Sequence, residues 1–293
     1  MTSKYYAPSQ QSSVAGFFSI FFGVAIIGSA ISIPYLFLIR VCPYIKLTII
    51  VTILFGLGLG WLAGLLCKWF KMRSVVVALL AVTLGYLFLT YFKWIFYVSF
   101  IASDIYDGAA SYISYAPALI THPLDFIQMI GAINQEGTWS MSSSHTSSGS
   151  DSSAVNGVLL GIVWIIEIAL IYLCMLFPVI SQTKKPFIES EGKWAVKYPK
   201  TFALPYFPTK ARVSELENNP TGVIRSLDLN TFSQRNYTEI TLHHSGDYTE
   251  NYIDINEIAL DNRNRKTSKT TIKNLRVDCE FADALLQMFH YNK

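Results

Sequence analysis

Apolar residues form four long runs in the N-terminal part of the chain. The runs cover residues 15–39, 47–66, 75–102 and 156–180. A helix needs roughly 20 apolar residues to cross a bilayer core of about 30 Å, and each run meets that length. The pattern therefore predicts a four-span transmembrane domain over residues 15–181, preceded by an N-terminal tail of residues 1–14.

The first run has an alternative interpretation as a cleaved signal peptide. Its apolar stretch is too long for the apolar region of such a peptide, and only Lys4 precedes it. We therefore expect it to remain as a span, whereas cleavage would leave three spans.

Polar patterns replace the apolar runs after residue 181. Residues 182–211 contain four prolines and six aromatic residues, which predicts an extended connector. From residue 212, segments such as "YTEITLHH" and "NYIDINEIAL" alternate as strands do, and "HSGD" between them is typical of a hairpin turn. "CEFADALLQMFHY" has helical periodicity. The predicted fold class is a membrane α-helical bundle of four transmembrane helices with a small C-terminal cytoplasmic α+β domain over residues 212–293.

Composition supports the membrane class. The chain is 52% hydrophobic and 15% charged, with a mean hydropathy of +0.35. Of 23 Lys and Arg residues, 16 follow Gln182, as do 14 of 20 Asp and Glu residues, so each part is nearly neutral. Neither part has the strong positive charge of a nucleic-acid-binding protein. We expect no nucleic-acid partner.

Cysteines and sequence motifs give no sign of bound cofactors or metals. Cys42, Cys67, Cys174 and Cys279 are scattered, and no two share a metal-ligand spacing. The sequence contains no phosphate-binding glycine loop, nucleophile elbow or zinc-protease motif. We expect no cofactor, no metal and no enzymatic activity.

Basic residues near the ends of the spans predict the orientation. Most of them lie in three regions: the N-terminal tail, the loop between the second and third spans, and the segment just after the fourth span. The residues are, in that order, Lys4; Lys68, Lys71 and Arg73; and Lys184 and Lys185. The loop of residues 103–155 has none. Because Lys and Arg resist translocation, we expect both termini on the cytoplasmic side of the cell membrane. We interpret this membrane as the inner membrane of a bacterium.

The long outer loop of residues 103–155 has two parts. "HPLDFIQMIGAIN" places Pro123 at a first helical turn and repeats apolar residues at helical spacing, which predicts a short helix on the membrane surface. The following "SMSSSHTSSGSDSS" is too polar to form a core and is typical of a flexible tether.

Small residues predict where the spans pack. Gly56, Gly60 and Gly64 lie at i, i+4 and i+8 in the second span, and Gly157 and Gly161 repeat the spacing in the fourth. Such faces let helix backbones approach closely in lipid. The spacing leaves open whether the second-span groove receives another span of the chain or a second protomer in a homo-oligomer.

Two opposite charges lie deep within the spans. Lys93 is about 14 Å from the outer end of the third span, and Glu167 about 15–17 Å from the outer end of the fourth, at 1.5 Å per residue. The two helices run in opposite directions, so the charges reach similar depths. We predict an intramembrane charge pair; a proton or cation path through Glu167 is the alternative.

Two polar clusters in the C-terminal domain are further candidates. His243, His244 and Asp247 gather near the predicted hairpin turn, where a metal or general-base site would need them to converge. Turn residues are usually polar for backbone reasons, which favours a structural role. The basic run from Arg263 to Lys273 predicts a contact with anionic lipid or a solvated loop. Its charged residues are Arg263, Arg265, Lys266, Lys269 and Lys273.

These patterns together indicate a function without enzymatic chemistry. The protein is expected to contact the lipid bilayer through its spans and another protein through its C-terminal domain, as an anchor, assembly or regulatory subunit. The alternative is a small channel or ion-coupled carrier that uses Glu167.

Overall fold

The computed structural model describes residues 4–41, 45–106, 115–137, 155–261 and 265–290. The chain forms two compact units. The first contains residues 12–183 and is here called the helical unit; the second combines residues up to 11 with residues 184–293 and is called the sheet unit.

The helical unit contains four helices that are long and apolar enough to span a membrane. They cover Val14–Val41, Lys46–Trp69, Val75–Ala102 and Gly157–Thr183. These bounds confirm the four predicted runs to within a few residues. The length and composition of the helices indicate a multi-pass membrane protein.

The described residues of this unit form seven α-helices. They are α1 (Val14–Phe22), α2 (Gly28–Val41), α3 (Ile45–Trp69), α4 (Val75–Tyr106), α5 (Ala116–Thr121), α6 (Pro123–Glu136) and α7 (Gly157–Thr183). A π-helical stretch, Gly23–Ile27, joins α1 to α2 within the first span. There Gly23 faces Leu66, and a Cβ built on Gly23 would lie 2.3 Å from its Cδ1. The wider π turn thus lies where α1 and α3 pack closely.

The core of the helical unit lies among α1 to α4 and α7. Fully buried side chains include Ile20, Leu59, Val82, Leu89 and Met175. Large apolar side chains also cover the outside of the helices: Trp61, Val76, Val158 and Phe177 are each at least 66% exposed. An exterior this apolar suits contact with lipid chains.

The predicted helix after His122 is present as α6, with Pro123 in its first turn. Its Phe126 and Ile133 are buried in a second cluster together with Val98 of α4 and Leu119 of α5. Leu124 and Ile127 are 73% and 62% exposed. The helix therefore packs through one part of its apolar surface and exposes another. The Ser-rich stretch that was predicted to be a tether lies outside the described residues.

Seven strands are present in the described part of the sheet unit. They are β1 (Phe187–Ile188), β2 (Lys193–Trp194), β3 (Val196–Lys197), β4 (Phe202–Pro205), β5 (Asn236–His244), β6 (Asn251–Leu260) and β7 (Lys266–Val277). The larger sheet has the order β3-β5-β6-β7, and β4 also pairs with β5. All of these pairings are antiparallel.

Three helices cover one face of this sheet: α8 (Val213–Asn218), α9 (Pro220–Arg225) and α10 (Cys279–His290). Their Leu216, Ile224 and Leu285 share a core with Ile240 of β5 and Ile253 of β6. The opposite face carries polar residues such as Glu239 and Asp254, because strand side chains alternate. An α+β arrangement is thus present in the C-terminal region.

The structure differs from expectation at two places outside residues 212–293. The connector of residues 182–211 contains β1 to β4, and β3 and β4 join the sheet through β5. The N-terminal tail also joins the sheet, since Tyr5 forms an antiparallel bridge with Leu275 of β7. The prolines misled the sequence interpretation, because Pro205 ends an edge strand, where proline is tolerated.

Candidate functional site

The two deep charges of the helical unit lie together. Lys93 Nζ is 2.7 Å from Glu167 Oε1. The Lys93 side chain is 5% exposed and that of Glu167 is 26% exposed. Since α4 and α7 run in opposite directions, residues at similar depth face each other, which is the geometry that the depth argument predicted.

A tyrosine completes this charge pair. The hydroxyl of Tyr35, on α2, donates to Glu167 Oε1 at 2.9 Å and lies 3.1 Å from Thr52 Oγ1. Tyr35 is 3% exposed and stacks on Phe55 at 4.2 Å between ring centroids. One carboxylate oxygen therefore accepts from two donors, which joins α2, α4 and α7 around Glu167. The sequence argument missed Tyr35 because it compared formal charges alone.

Further polar contacts follow the α4–α7 interface. Thr83 Oγ1 and Tyr172 Oη are 2.7 Å apart, and the Tyr86 hydroxyl donates to the Ile168 carbonyl at 2.6 Å. Thr83, Tyr86 and Lys93 share one face of α4 at helical spacing. That spacing is the signal that could have identified this polar stripe, which bonds α4 to α7 at several depths.

The glycine face of α3 receives α7 of the same chain. A Cβ built on Gly56 would lie 2.8 Å from the Ile171 carbonyl oxygen, and one on Gly60 would lie 2.5 Å from that of Met175. At Gly64 the nearest atom is the Pro178 carbonyl oxygen at 3.5 Å. The backbones of α3 and α7 thus meet along this face, and no room is left there for a second protomer.

The glycines of α7 do not have the packing role expected of them. A Cβ built on Gly157 would meet no described atom within 4 Å, and one on Gly161 would meet only Asn134 Nδ2 at 3.9 Å. Gly157 instead begins α7 with φ +60°, and its carbonyl accepts a hydrogen bond from Asn134. Its small size serves a turn rather than a helix interface.

The polar cluster at the β5–β6 hairpin does not converge. His243 Nε2 lies 3.1 Å from Asp254 Oδ2, whereas His244 is directed to the other face of β5. The His244 ring stacks on Tyr248, and its Nδ1 is 2.7 Å from the Ser245 carbonyl. Asp247 accepts from Ser245 and Thr249 within the turn. Among the described residues, no group of three or more His, Cys, Asp or Glu could hold a metal ion.

Asp254 links three parts of the sheet unit. It contacts His243 of β5, and its Oδ1 accepts the backbone N–H of Asn274 at 2.7 Å. Asn274 adopts φ +53°, and its side-chain amide donates to the Lys184 carbonyl. Burial alone would raise the pKa of Asp254, but the hydrogen bonds with His243 and Asn274 outweigh it and hold the pKa below its ordinary value.

The basic run follows the edge strand β7. Lys266 Nζ donates to Glu239 Oε2 at 2.8 Å, and this contact raises the pKa of Lys266. Arg265, Lys269 and Lys273 are exposed. Arg263 lies outside the described residues. The structure therefore makes most of this run a strand rather than a loop.

The N-terminal tail is held on β7 by backbone and side-chain contacts. The Tyr6 N–H donates to the Asn274 carbonyl, and the Arg276 N–H donates to the Lys4 carbonyl, both at 2.9 Å. The Tyr5 hydroxyl donates to Glu217 Oε1 at 2.7 Å. Burial, followed by the nearby Glu217 carboxylate, raises the pKa of Tyr5 to about 12. No local pattern could reveal this pairing, because its partners are more than 200 positions apart.

Comparison of the chain with models of protein families, with curated proteins and with solved structures gives no match. Functional conclusions therefore come from the residues and contacts described above.

Proposed function

We propose that the protein is an integral membrane anchor, acting as an assembly or regulatory subunit, which binds a partner protein through its sheet unit. One observation carries the proposal: the described segment before the first span and the region after the fourth span belong to a single folded unit with its own hydrophobic core. Such a unit is attached to the helical unit at Ser12 and again at Thr183. Two chain connections hold this unit at the membrane, which suits a surface that must meet a partner there.

The contacts in the helical unit support a structural role for its charges. Glu167 accepts from both Lys93 and Tyr35, and Lys93 is 4% exposed. A charge held by two donors is costly to move, because each released partner would be left unpaired in an apolar setting. The charge pair therefore joins helices in this proposal, and function lies in the sheet unit.

Charge and connectivity support a proposal for the location of the sheet unit. The tail of residues 4–6 pairs with β7, and such a pairing requires both chain ends on one side of a membrane. Lys and Arg near the span ends favour the cytoplasmic side. We place both termini in the cytoplasm, with the inner membrane of a bacterium as the proposed location.

Removal of the sheet unit tests the proposal. The full chain and a chain ending at Thr183 are purified from cross-linked native membranes, and bound proteins are compared by quantitative mass spectrometry. The full chain should retain a partner that the shortened chain loses. The shortened chain must remain helical and monodisperse as a control. A shortened, folded chain that keeps every partner would contradict the proposal.

One observation favours a second candidate, a small channel or proton-coupled carrier. Thr52, Tyr35, Glu167 and Lys93 form a continuous set of polar contacts across four helices, α3, α2, α7 and α4. Linked groups of this kind can pass protons. In liposomes, this candidate predicts proton flux that Glu167→Gln abolishes in a folded protein, whereas the anchor predicts no flux above that of protein-free liposomes.

A further inference from the structure

The outer edge of β7 is open over its first half in the described part of the chain. β7 ends the strand order of the larger sheet. Beyond it, the described residues supply only the short tail that bridges Leu275. The stretch from Lys266 to Thr270 therefore forms a free sheet edge.

Register identifies the backbone groups that face outwards there. The Leu260 N–H donates to the Arg235 carbonyl, so Leu260 directs its backbone groups towards β5. Its partner in β7 is Lys266, which must direct its own N–H and carbonyl away from β6. By alternation, Ser268 and Thr270 do the same. Three residues thus present donors and acceptors to a strand that could add beside them.

The N-terminal tail shows that this edge accepts a strand. Residues 4–6 lie antiparallel to β7 and bond to Asn274 and Arg276. Pro8 then prevents extension of the tail along β7, because it has no N–H to donate. Gln10, with φ +56°, turns the chain further. The first half of the edge is consequently left open beside an established strand pairing.

The charge of the open edge restricts what can add to it. Arg265, Lys266, Lys269 and Lys273 lie on or beside it. Of these four, only Lys266 forms an ion pair within the described part of the chain, with Glu239. Like charges oppose the pairing of two such edges, which is a common protection of edge strands. A segment rich in Asp or Glu would meet attraction instead.

We propose that the β7 edge from Lys266 to Thr270 binds an acidic, extended segment of a partner protein by strand addition beside the chain's own tail. Backbone hydrogen bonds from the three outward residues hold the segment, and the lysines select its charge. This inference rests on the proposed function and adds the surface and the chemistry of the partner.

The sheet geometry favours a peptide over a lipid surface. The side chain of Lys266 lies on the same face of the sheet as that of Glu239. Lys269 pairs with Glu257, and its side chain lies on the opposite face of the sheet. A plane of anionic headgroups would meet these two lysines from opposite sides. A strand added in the plane of the sheet approaches both.

Defined peptides provide the test. The full chain, in nanodiscs of neutral lipid, is titrated with a ten-residue peptide of alternating Glu and Val. Controls are the same peptide with N-methyl groups on alternate residues and a peptide of alternating Lys and Val. We expect the unmodified acidic peptide to bind about tenfold more tightly than either control. It should also slow hydrogen exchange at Ser268 and Thr270.

Matched variants locate the binding. Ser268→Pro removes one outward N–H and should weaken the acidic peptide about tenfold. Lys269→Ser with Lys273→Ser should weaken it similarly, whereas Lys200→Ser with Lys210→Ser should not. Unchanged hydrogen exchange elsewhere in the sheet unit establishes that the Ser268→Pro variant is folded.

Three results would overturn the inference. Equal binding of the N-methylated peptide would indicate charge attraction without strand pairing. Equal binding to the Ser268→Pro variant would place the site elsewhere. Protection of this strand by vesicles with anionic lipid, but not by the acidic peptide, would make the basic run a lipid contact.

The same variants separate this inference from the proposed function. If the shortened chain loses a native partner that the Ser268→Pro variant keeps, that result supports the proposed membrane anchor and excludes the β7 edge as its binding site. A partner that is kept without the sheet unit contradicts the anchor itself.

Discussion

Single residues with two or more partners hold together parts that are distant in sequence. Glu167 accepts hydrogen bonds from Lys93 and Tyr35, which lie on two other helices. Asp254 contacts His243 of β5 and accepts the backbone N–H of Asn274, a residue of left-handed conformation. Both are carboxylates with several donors. Such groups lose more on truncation than a single hydrogen bond suggests, because their partners stay buried.

The depressed pKa of Asp254 predicts a pH-dependent contribution to stability. A group with a lowered folded pKa stabilises fully above its unfolded pKa of about 3.9, and the contribution disappears as pH falls through the folded pKa. We expect Asp254→Asn to destabilise the sheet unit at pH 7, and the difference from the unchanged chain to shrink below about pH 4. Hydrogen exchange of β6 amides over this pH range measures it.

Asp247 provides the control for this prediction. Its pKa is also lowered, first by the Ser245 hydrogen bond, but its contacts are confined to the exposed hairpin turn. Asp247→Asn should leave exchange in the middle of β6 unchanged. A β6 response to Asp247→Asn as large as that to Asp254→Asn would contradict the linking role of Asp254.

Sequence reasoning identified formal charges more readily than neutral partners. The Lys93–Glu167 match needed only helix direction and rise per residue. Tyr35 was missed because a tyrosine is common in a span and carries no charge to balance. The sequence placed His243 near the hairpin that is present. Its partner Asp254 lies on the neighbouring strand β6, and the local pattern of residues does not define the register between β5 and β6.

At the scale of elements, close backbone approach determines the pairing of α3 with α7. Gly56 and Gly60 each admit a carbonyl of α7 at a distance that a side chain would forbid. Gly58, between them in sequence, faces open space, with no described atom within 4 Å of a built Cβ. The two kinds of glycine allow a matched test.

Gly60→Val should separate α3 from α7. The added carbon would clash with the Met175 carbonyl at 2.5 Å, which is backbone and cannot rotate away. Overpacking of this kind costs about 1–3 kcal/mol or more, so the melting temperature in detergent should fall. Gly58→Val should have little effect. Equal loss in both variants would show that α3 does not pack through this face.

Elements formed by local pattern were predictable, whereas elements formed by distant pairing were not. The four long helices, α6 and the strands β5 to β7 follow from periodicity. The strands of residues 187–205 and the tail bridge at Tyr5 are too short to show a period. β1 and β2 pair with each other, β3 and β4 add to β5, and the tail adds to β7. Tertiary pairing determines such segments.

At the scale of the whole molecule, the sheet unit brings both chain ends to one side of the proposed membrane. An even number of spans requires this, and the Tyr5–Leu275 bridge is consistent with it. The positions of Lys and Arg near the span ends alone predict that both termini lie on the same side of the membrane.

Site-specific labelling tests this topology. Cysteines are introduced singly at Ser9, Ser144 and Lys200 in a chain that lacks other reactive cysteines, and sealed vesicles are treated with an impermeant maleimide. Positions 9 and 200 should react from the cytoplasmic side and position 144 from the opposite side. Reaction of positions 9 and 200 from different sides would contradict the single sheet unit.

The proposed structural role of the helical unit is tested most directly by a double-mutant cycle on Lys93 and Glu167. Thermal stability is measured in detergent for Glu167→Gln, Lys93→Met and the double variant. Each single change should cost about 3 kcal/mol or less, since Glu167 is partly exposed, and the double variant should recover most of the loss. Additive losses of stability, or a Glu167→Gln variant as stable as the unchanged chain, would contradict a structural pair. Either result would favour the alternative, a channel or carrier that uses Glu167.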